Sequence, residues 1–451
     1  MTKFQKQMLT IAAAGALTAV TALPAMAFEN EFHGTFAVKT FLSNIDGNAN
    51  GSALLTKEET KTNNYTEQRT RLQYVAKASD DLKLVTHFEM NTLWGNETSG
   101  GDIDTDGNNL VVKHAYLDFN LGKSVNVKAG QQAYKDTLKG LYVDADLPMA
   151  YVTTKLGAYT LGLGYSRFND EDTLTLGGNS YKGDIAGDLY AIDNTYAFNK
   201  DTKVGLSYYL NRDDSGAAAT DTERRISTLG LSGQTKLGIV NLSGFAAMQN
   251  GYSHLLGGLK TKTTYHGWAA DVLATMKLGS GTARTGFLFT SGDNNDKVGS
   301  NHGWQTLSSN AKSSMINTYN ESGMMLLVRN PSMGGTSTDN YLRKPITNIA
   351  LLHMGYDASI TEKLYANGNV GFAWLPSSDN LYGATGNTTQ NGSDFLGTEL
   401  NVEVGYKLYT NLTLKAQAAY VMLGGAYKDT AVGANDPANP FTMRLGAHYS
   451  F

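Results

Sequence analysis

The sequence of 451 residues has no cysteine. That excludes disulfide scaffolds, thiolate metal centres, cysteine nucleophiles and covalent haem attachment through thioethers. Charge is scarce as well. Only 17% of residues are Asp, Glu, Lys or Arg, where soluble domains average roughly 25%. Long apolar runs are missing too. Beyond the extreme N-terminus none approaches the ~20 residues that a membrane helix needs, and the mean hydropathy is −0.30. A polytopic helical membrane protein is therefore excluded. A net charge of −4 offers no basic surface for nucleic acid. Disorder is excluded in turn, because 41% of residues are hydrophobic, with 25 tyrosines and 16 phenylalanines among them.

The first 27 residues read as a cleaved secretory signal. Lys3 and Lys6 form a basic start, Leu9 to Val20 an apolar and small-residue core, and Pro24 precedes Ala25-Met26-Ala27, an A-x-A cleavage site. Cleavage removes two lysines and no acid, so the exported chain is more acidic by two charges.

From there to the end the dominant pattern is alternation with a period of two. Leu82, Leu84, Phe88 and Met90 share one face of their segment, and Lys83, His87 and Glu89 share the other. In Leu396–Leu408 the faces are Leu396, Leu400, Val402, Val404, Tyr406 and Leu408 against Gly397, Glu399, Asn401, Glu403 and Lys407. Successive side chains of a strand point to opposite sides, so each segment has an apolar and a polar face.

Two kinds of connection alternate between these segments. The short kind comprises 79–81, 122–124, 156–158, 199–201, 237–239, 279–281, 360–362 and 409–411, all clusters suited to tight hairpins. The long kind is polar and covers about 43–65, 95–109, 133–147, 169–186, 212–223, 250–262, 291–347, 376–394 and 424–439. Outer-membrane barrels have short periplasmic turns and long outward loops. With both ends on the periplasmic side, eight short turns and nine long loops each give 18 strands, with 16 as the fallback. The expected fold is all-β, a transmembrane antiparallel up-and-down barrel over 28–451. A soluble sandwich has no reason to gather every short turn at one end.

The final segment, Phe441 to Phe451, alternates and ends on an aromatic residue. It resembles the C-terminal signal of Gram-negative outer-membrane barrels, which the barrel-assembly machinery reads. Lys113-His114-Ala115-Tyr116-Leu117-Asp118-Phe119-Asn120-Leu121-Gly122 with Gly130-Gln131-Gln132 resembles a strand–turn–strand of porins, as does Gly397-Thr398-Glu399-Leu400 with the hairpin that follows. The resemblance to the outer-membrane porin family implies an aqueous diffusion channel for small hydrophilic solutes and ions. It also implies contact with outer-membrane lipid and lipopolysaccharide, and often a homotrimer.

In a barrel this wide the polar faces line a channel and their charges set its selectivity. Alternation puts Lys39, Arg69, Arg71, Lys83, Lys415 and Arg444 on the lumen faces of five consecutive strands around the closure. The porin resemblance implies that such a basic ladder faces an acidic loop folded inward after the fifth strand, where Asp136, Asp144 and Asp146 stand. The other reading is a self-neutralising wall, since Glu67, Glu89, Asp118, Asp271, Glu399 and Glu403 also face the lumen. The 291–347 connection is a second candidate constriction. Its Met324-Met325-Leu326-Leu327-Val328 patch beside Arg329 is expected to pack into the mouth or on another loop, and a partner-facing patch is the alternative.

Chemistry beyond permeation has little support. Asp102, Asp104 and Asp106 before Gly107 match the first half of a calcium loop, but Lys113 stands where the bidentate Glu belongs. Only weak structural calcium would fit, and no other cofactor is expected. His33 and His448 are expected to lie near each other on adjacent strands, yet two imidazoles without a third ligand make a poor metal site. No residue set points to an enzyme. Trp94, Phe119, Trp268, Trp374, Tyr406, Tyr449 and Phe451 fall near strand ends, where aromatic girdles sit. The rival to a porin is a structural or partner-binding barrel, a sheath for an electron-transfer or export assembly.

Overall fold

A computed structural model describes residues 29–45, 62–104, 110–176, 179–214, 221–255, 262–294, 297–307, 316–330, 341–377, 393–428 and 437–451. The signal segment and Asp106 lie outside these residues. The strands run β1 Glu29–Ser43, β2 Asn63–Ser79, β3 Leu82–Leu93, β4 Val111–Leu121 and β5 Val125–Lys135. There follow β6 Asp144–Leu156, β7 Tyr159–Leu176, β8 Asn179–Ala197, β9 Lys203–Asp213 and β10 Asp221–Leu237. Next come β11 Val240–Leu255, β12 Lys262–Tyr265, β13 Trp268–Leu278, β14 Gly281–Thr290 and β15 Ser300–Asn301. The last are β16 Ile349–Ser359, β17 Leu364–Trp374, β18 Phe395–Tyr409, β19 Leu412–Leu423 and β20 Phe441–Ser450.

These make a closed antiparallel barrel of 18 strands. β12 and β13 serve as one staved line, because both pair with β11 and are parted only by His266-Gly267. β15 belongs to a loop and pairs in parallel with β12. Closure is made by β1 against β20, with Thr35 opposite Ser450 through Ser43 opposite Thr442. Gly34 and the terminal Phe451 exchange both backbone hydrogen bonds, at 3.0 and 3.1 Å. A closed sheet satisfies every ladder group internally, which a bilayer demands.

Each short connection of the sequence is a hairpin turn between successive strands, from Ser79/Leu82 to Tyr409/Leu412. The connection read as a loop over 169–186 differs. There β7 and β8 continue, to Leu176 and from Asn179, so their hairpin stands well above its neighbours. Polar composition without a Pro or Gly cluster at its base did not stop the ladder.

The outer surface carries Leu72, Leu84, Leu117, Ile192, Leu206, Leu231, Val272, Val404 and Leu445, all exposed. Such a continuous apolar surface marks a membrane-facing wall. Trp94, Trp268, Tyr406, Tyr449 and Phe451 are exposed on it. Leu396 does not join this face. The register skips it between Trp374 opposite Phe395 and Ala373 opposite Gly397, and Gly397 takes a φ of +143°. The bulge turns Leu396 to the interior, where it is fully buried.

Candidate functional site: the constricted lumen

The interior of a wide barrel has to be filled or wetted. Here two loops fill part of it. The first, 136–143 between β5 and β6, is organised by one carboxylate. Asp136 accepts the backbone N–H groups of Leu138 and Gly140 through Oδ1 at 2.7 and 2.8 Å, and those of Tyr142 and Val143 through Oδ2 at 2.8 and 2.5 Å. Burial pushes its pKa up to about 6 against the pull of these four donors. The loop so rolled drives Leu138, Leu141, Tyr142 and Val143 out of solvent. Thr137 bonds Tyr209 Oη of β9 through its N–H at 3.0 Å and its hydroxyl at 2.9 Å. Tyr142 stacks on the same ring at 5.4 Å. Leu138 presses on Gly230 of β10, where a Cβ would stand 2.6 Å from it.

The second inward segment is 316–330. Glu399 of β18 is fully buried and accepts the N–H groups of Met325, Leu326 and Leu327 at 2.6, 3.0 and 2.7 Å. Asn401 donates to the same carboxylate at 2.7 Å. Met324 to Val328 are buried with it, and Met324 sits on Gly371 of β17, whose missing side chain makes the socket. The apolar patch of the sequence thus packs inside the barrel, held by an acid that alternation had placed on the lumen face. Burial lowers the pKa of the adjoining Arg329, whose guanidinium donates to Asn317 O at 3.0 Å.

The two loops are joined. Thr318 N–H donates to Gly140 O at 2.9 Å, Asp144 N–H to Ile316 O at 2.6 Å, and Asn317 Nδ2 to Leu141 O at 3.0 Å. They converge on Asp271 of β13, which pairs with Lys139 of the first loop and accepts from Tyr319 of the second. Tyr319 Oη also lies 3.2 Å from His353 Nε2 of β16. Both loops therefore lean on the wall from β8 to β18.

The basic ladder stands on the wall of β19, β20 and β1–β5, of which the loops cover only Tyr134 of β5 and the upper inner positions of β19, Ala419, Val421 and Leu423. Arg71 Nε donates to Glu89 at 2.6 Å, and Arg69 lies 3.8 Å from the same carboxylate. Lys83 stands 3.4 Å from Asp118, and Lys415 3.5 Å from Glu403. Lys39 is opposite Glu67 in register. Arg444 is buried with its guanidinium carbon 5.0 Å over the Phe41 ring. Many of these charges are thus paired along the wall, yet the side chains of Lys83, Arg71 and Lys415 stay 44, 33 and 32% exposed. On β1–β5, β19 and β20 the eight lumen-facing bases Lys39, Arg69, Arg71, Lys77, Lys83, Lys128, Lys415 and Arg444 outnumber the acids Glu29, Glu31, Glu67, Glu89 and Asp118, even with Glu403 of the adjoining β18 counted.

The loop acids have other partners than that ladder. Asp136 is spent on its own loop. Asp144 accepts from Thr318 Oγ1 at 2.6 Å and lies 3.4 Å from Lys135. Asp146 alternates to the face opposite Leu147 and binds Lys113 and, at 2.7 Å, His114. His33 and His448 are not neighbours: His448 is opposite Ala37, four residues along the strand from His33. Among the described residues no three His, Asp or Glu side chains gather as a metal site. Lys139, Tyr209, Tyr319, His353, Gly230 and Gly371 escaped sequence reading. The one available signal was apolar side chains on a face that alternation marked as lumenal, such as Ile226 and Leu351.

No protein-family model matches the chain, and no curated protein matches it. Solved structures do. OpdK of Pseudomonas aeruginosa superposes with a TM-score of 0.54 at 14% identity, over 93% of this chain and 98% of its own. It has also been solved with vanillate. A BenF-like porin from Pseudomonas fluorescens Pf-5 gives 0.54 at 17% identity, over 94 and 98%. OccAB4 of Acinetobacter baumannii gives 0.51 at 14%, over 94 and 98%. The shared property is the fold, an outer-membrane porin barrel.

Proposed function

We propose that the chain is an outer-membrane porin that passes small hydrophilic solutes by diffusion and favours those bearing a negative charge. The observation that carries this is the asymmetry of the lumen. Two inward loops lean on one side, and the side left to the solute carries more bases than acids. A sheath for a partner protein needs an unobstructed bore, whereas here 136–143 and 316–330 occupy it. One structural neighbour is named a BenF-like porin, and another, OpdK, has been solved with a small carboxylate, vanillate. Lipid-facing apolar rows and the C-terminal strand support placement in the outer membrane by the barrel-assembly machinery.

The test is a planar bilayer under a salt gradient. Stepwise conductance with a reversal potential of anion-selective sign is expected. Replacing Arg69, Arg71 and Lys83 together by Gln should move that potential toward the cation side. A sealed barrel, or a potential indifferent to the triple change, would refute the reading.

A further inference from the structure

The outer wall of β9 and β10 ends on a feature that a lipid-facing surface does not tolerate. Outward residues on these strands read upward as Leu206 with Leu231, Tyr208 with Leu229, Leu210 with Ser227, and then Arg212 with Arg225. Their inward neighbours, Tyr209 and Ile226, are buried under the loops, which fixes the outward direction of both arginines. The pair stands at the top of the wall, next to the long connection between the two strands. Like charges directly opposite on adjacent strands repel.

Each guanidinium has one bonded carboxylate two residues away, Asp214 just past the end of β9 and Glu223 within β10. Arg212 donates Nε and Nη2 to a single oxygen of Asp214, at 3.0 and 2.7 Å. Arg225 uses only Nε, toward Glu223. A guanidinium has five N–H groups, so donors on both remain for another anion, and the side chains are 32 and 37% exposed. Tyr252 of β11 is the next residue in the row and gives its hydroxyl to Glu223 at 3.2 Å. Lys262 of β12 caps that ring at 4.9 Å. On the other side Arg167 is consumed by Asp188 and Asp170. Asp188, which Arg167 holds, also stands opposite Arg212 in register, so the row as a whole balances four cations, Arg167, Arg212, Arg225 and Lys262, with four carboxylates, Asp170, Asp188, Asp214 and Glu223, directly above an apolar wall.

We infer that Arg212 and Arg225 hold a phosphate group of lipopolysaccharide in the outer leaflet. The occupant is set by position and by the unfilled N–H groups of the two guanidiniums. The site faces away from the channel, above apolar rows that acyl chains cover, so the ligand must carry both chains and a compact anion. Phosphate matches the forked donors of paired arginines. The inference rests on the outer-membrane placement argued above and adds the lipid site to it.

Native mass spectrometry of the detergent-purified full chain tests this with three lipids: bisphosphorylated lipid A, its dephosphorylated form, and phosphatidylglycerol. Wild type should retain bisphosphorylated lipid A, and the Arg212→Gln/Arg225→Gln variant should retain it about tenfold less or weaker. Dephosphorylated lipid A and phosphatidylglycerol should bind weakly to both. Equal retention by variant and wild type overturns the inference. So does phosphatidylglycerol bound as well as lipid A, or a variant that loses only self-association of two copies. Unchanged conductance of the variant certifies its fold, because neither arginine lines the lumen. Lipid A retention by a protein that gives no channel steps would sink the porin reading alone.

Discussion

Single carboxylates do the organising at the residue scale. Glu399 holds three successive N–H groups of the long loop inside the barrel through its two carboxyl oxygens, each bond worth about 1 kcal/mol. Glutamine there keeps one acceptor and turns an NH2 toward the donors. Glu399→Gln should therefore loosen the 316–330 segment by roughly 3 kcal/mol. The expected readout is protease cleavage within that segment and a higher, flickering single-channel conductance; a quiet, wild-type trace would contradict the role given to Glu399. The same carboxylate was legible as a lumen-facing acid from alternation. Its partners were not, because they lie more than seventy residues away in sequence.

At the scale of the element, Gly34 shows what barrel closure requires. A Cβ there would run into the ring of Phe451 and stand 2.8 Å from the carbonyl of Arg71. Gly34→Val is expected to lower the yield of heat-resistant folded barrel severalfold, whereas Thr35→Val on the same strand should leave it near wild type. Equal yields would show that the terminal seam has slack. Strand β16 carries a second lesson. Ile349, Leu351 and His353 are buried on its inner face, while Leu352 and Met354 lie on the outer. Apolar residues on both faces are the trace of a loop packed within the lumen, legible in the sequence once the strand is known to be a barrel stave. The tall β7–β8 hairpin went the other way: its polar stretch looked like a loop, and cross-strand pairing overrode composition.

At the scale of the whole molecule, the lumen is divided. Replacing 316–330 by a short Gly-Ser linker should raise conductance roughly twofold or more while keeping anion preference, because the basic wall stays in place. Current measured across a lipid bilayer decides it; a fall in conductance would mean that the loop props the pore open. Loss of selectivity on this deletion would instead place the filter on the loop.

Period-two alternation and the contrast between short and long connections were enough to determine the barrel, its strand number and, outside the bulge at Leu396, which side of a strand faces the interior. Both are local: a strand's side chains alternate whatever its neighbours do, and a hairpin turn is written in a few residues. The constriction was decided only by tertiary structure. Asp136 serves its own backbone, Lys139 and Tyr319 meet on Asp271, and Gly230 and Gly371 open sockets for Leu138 and Met324. Those contacts join residues distant in sequence and depend on how closing the sheet sets opposite walls face to face, a distance that no period in the sequence records.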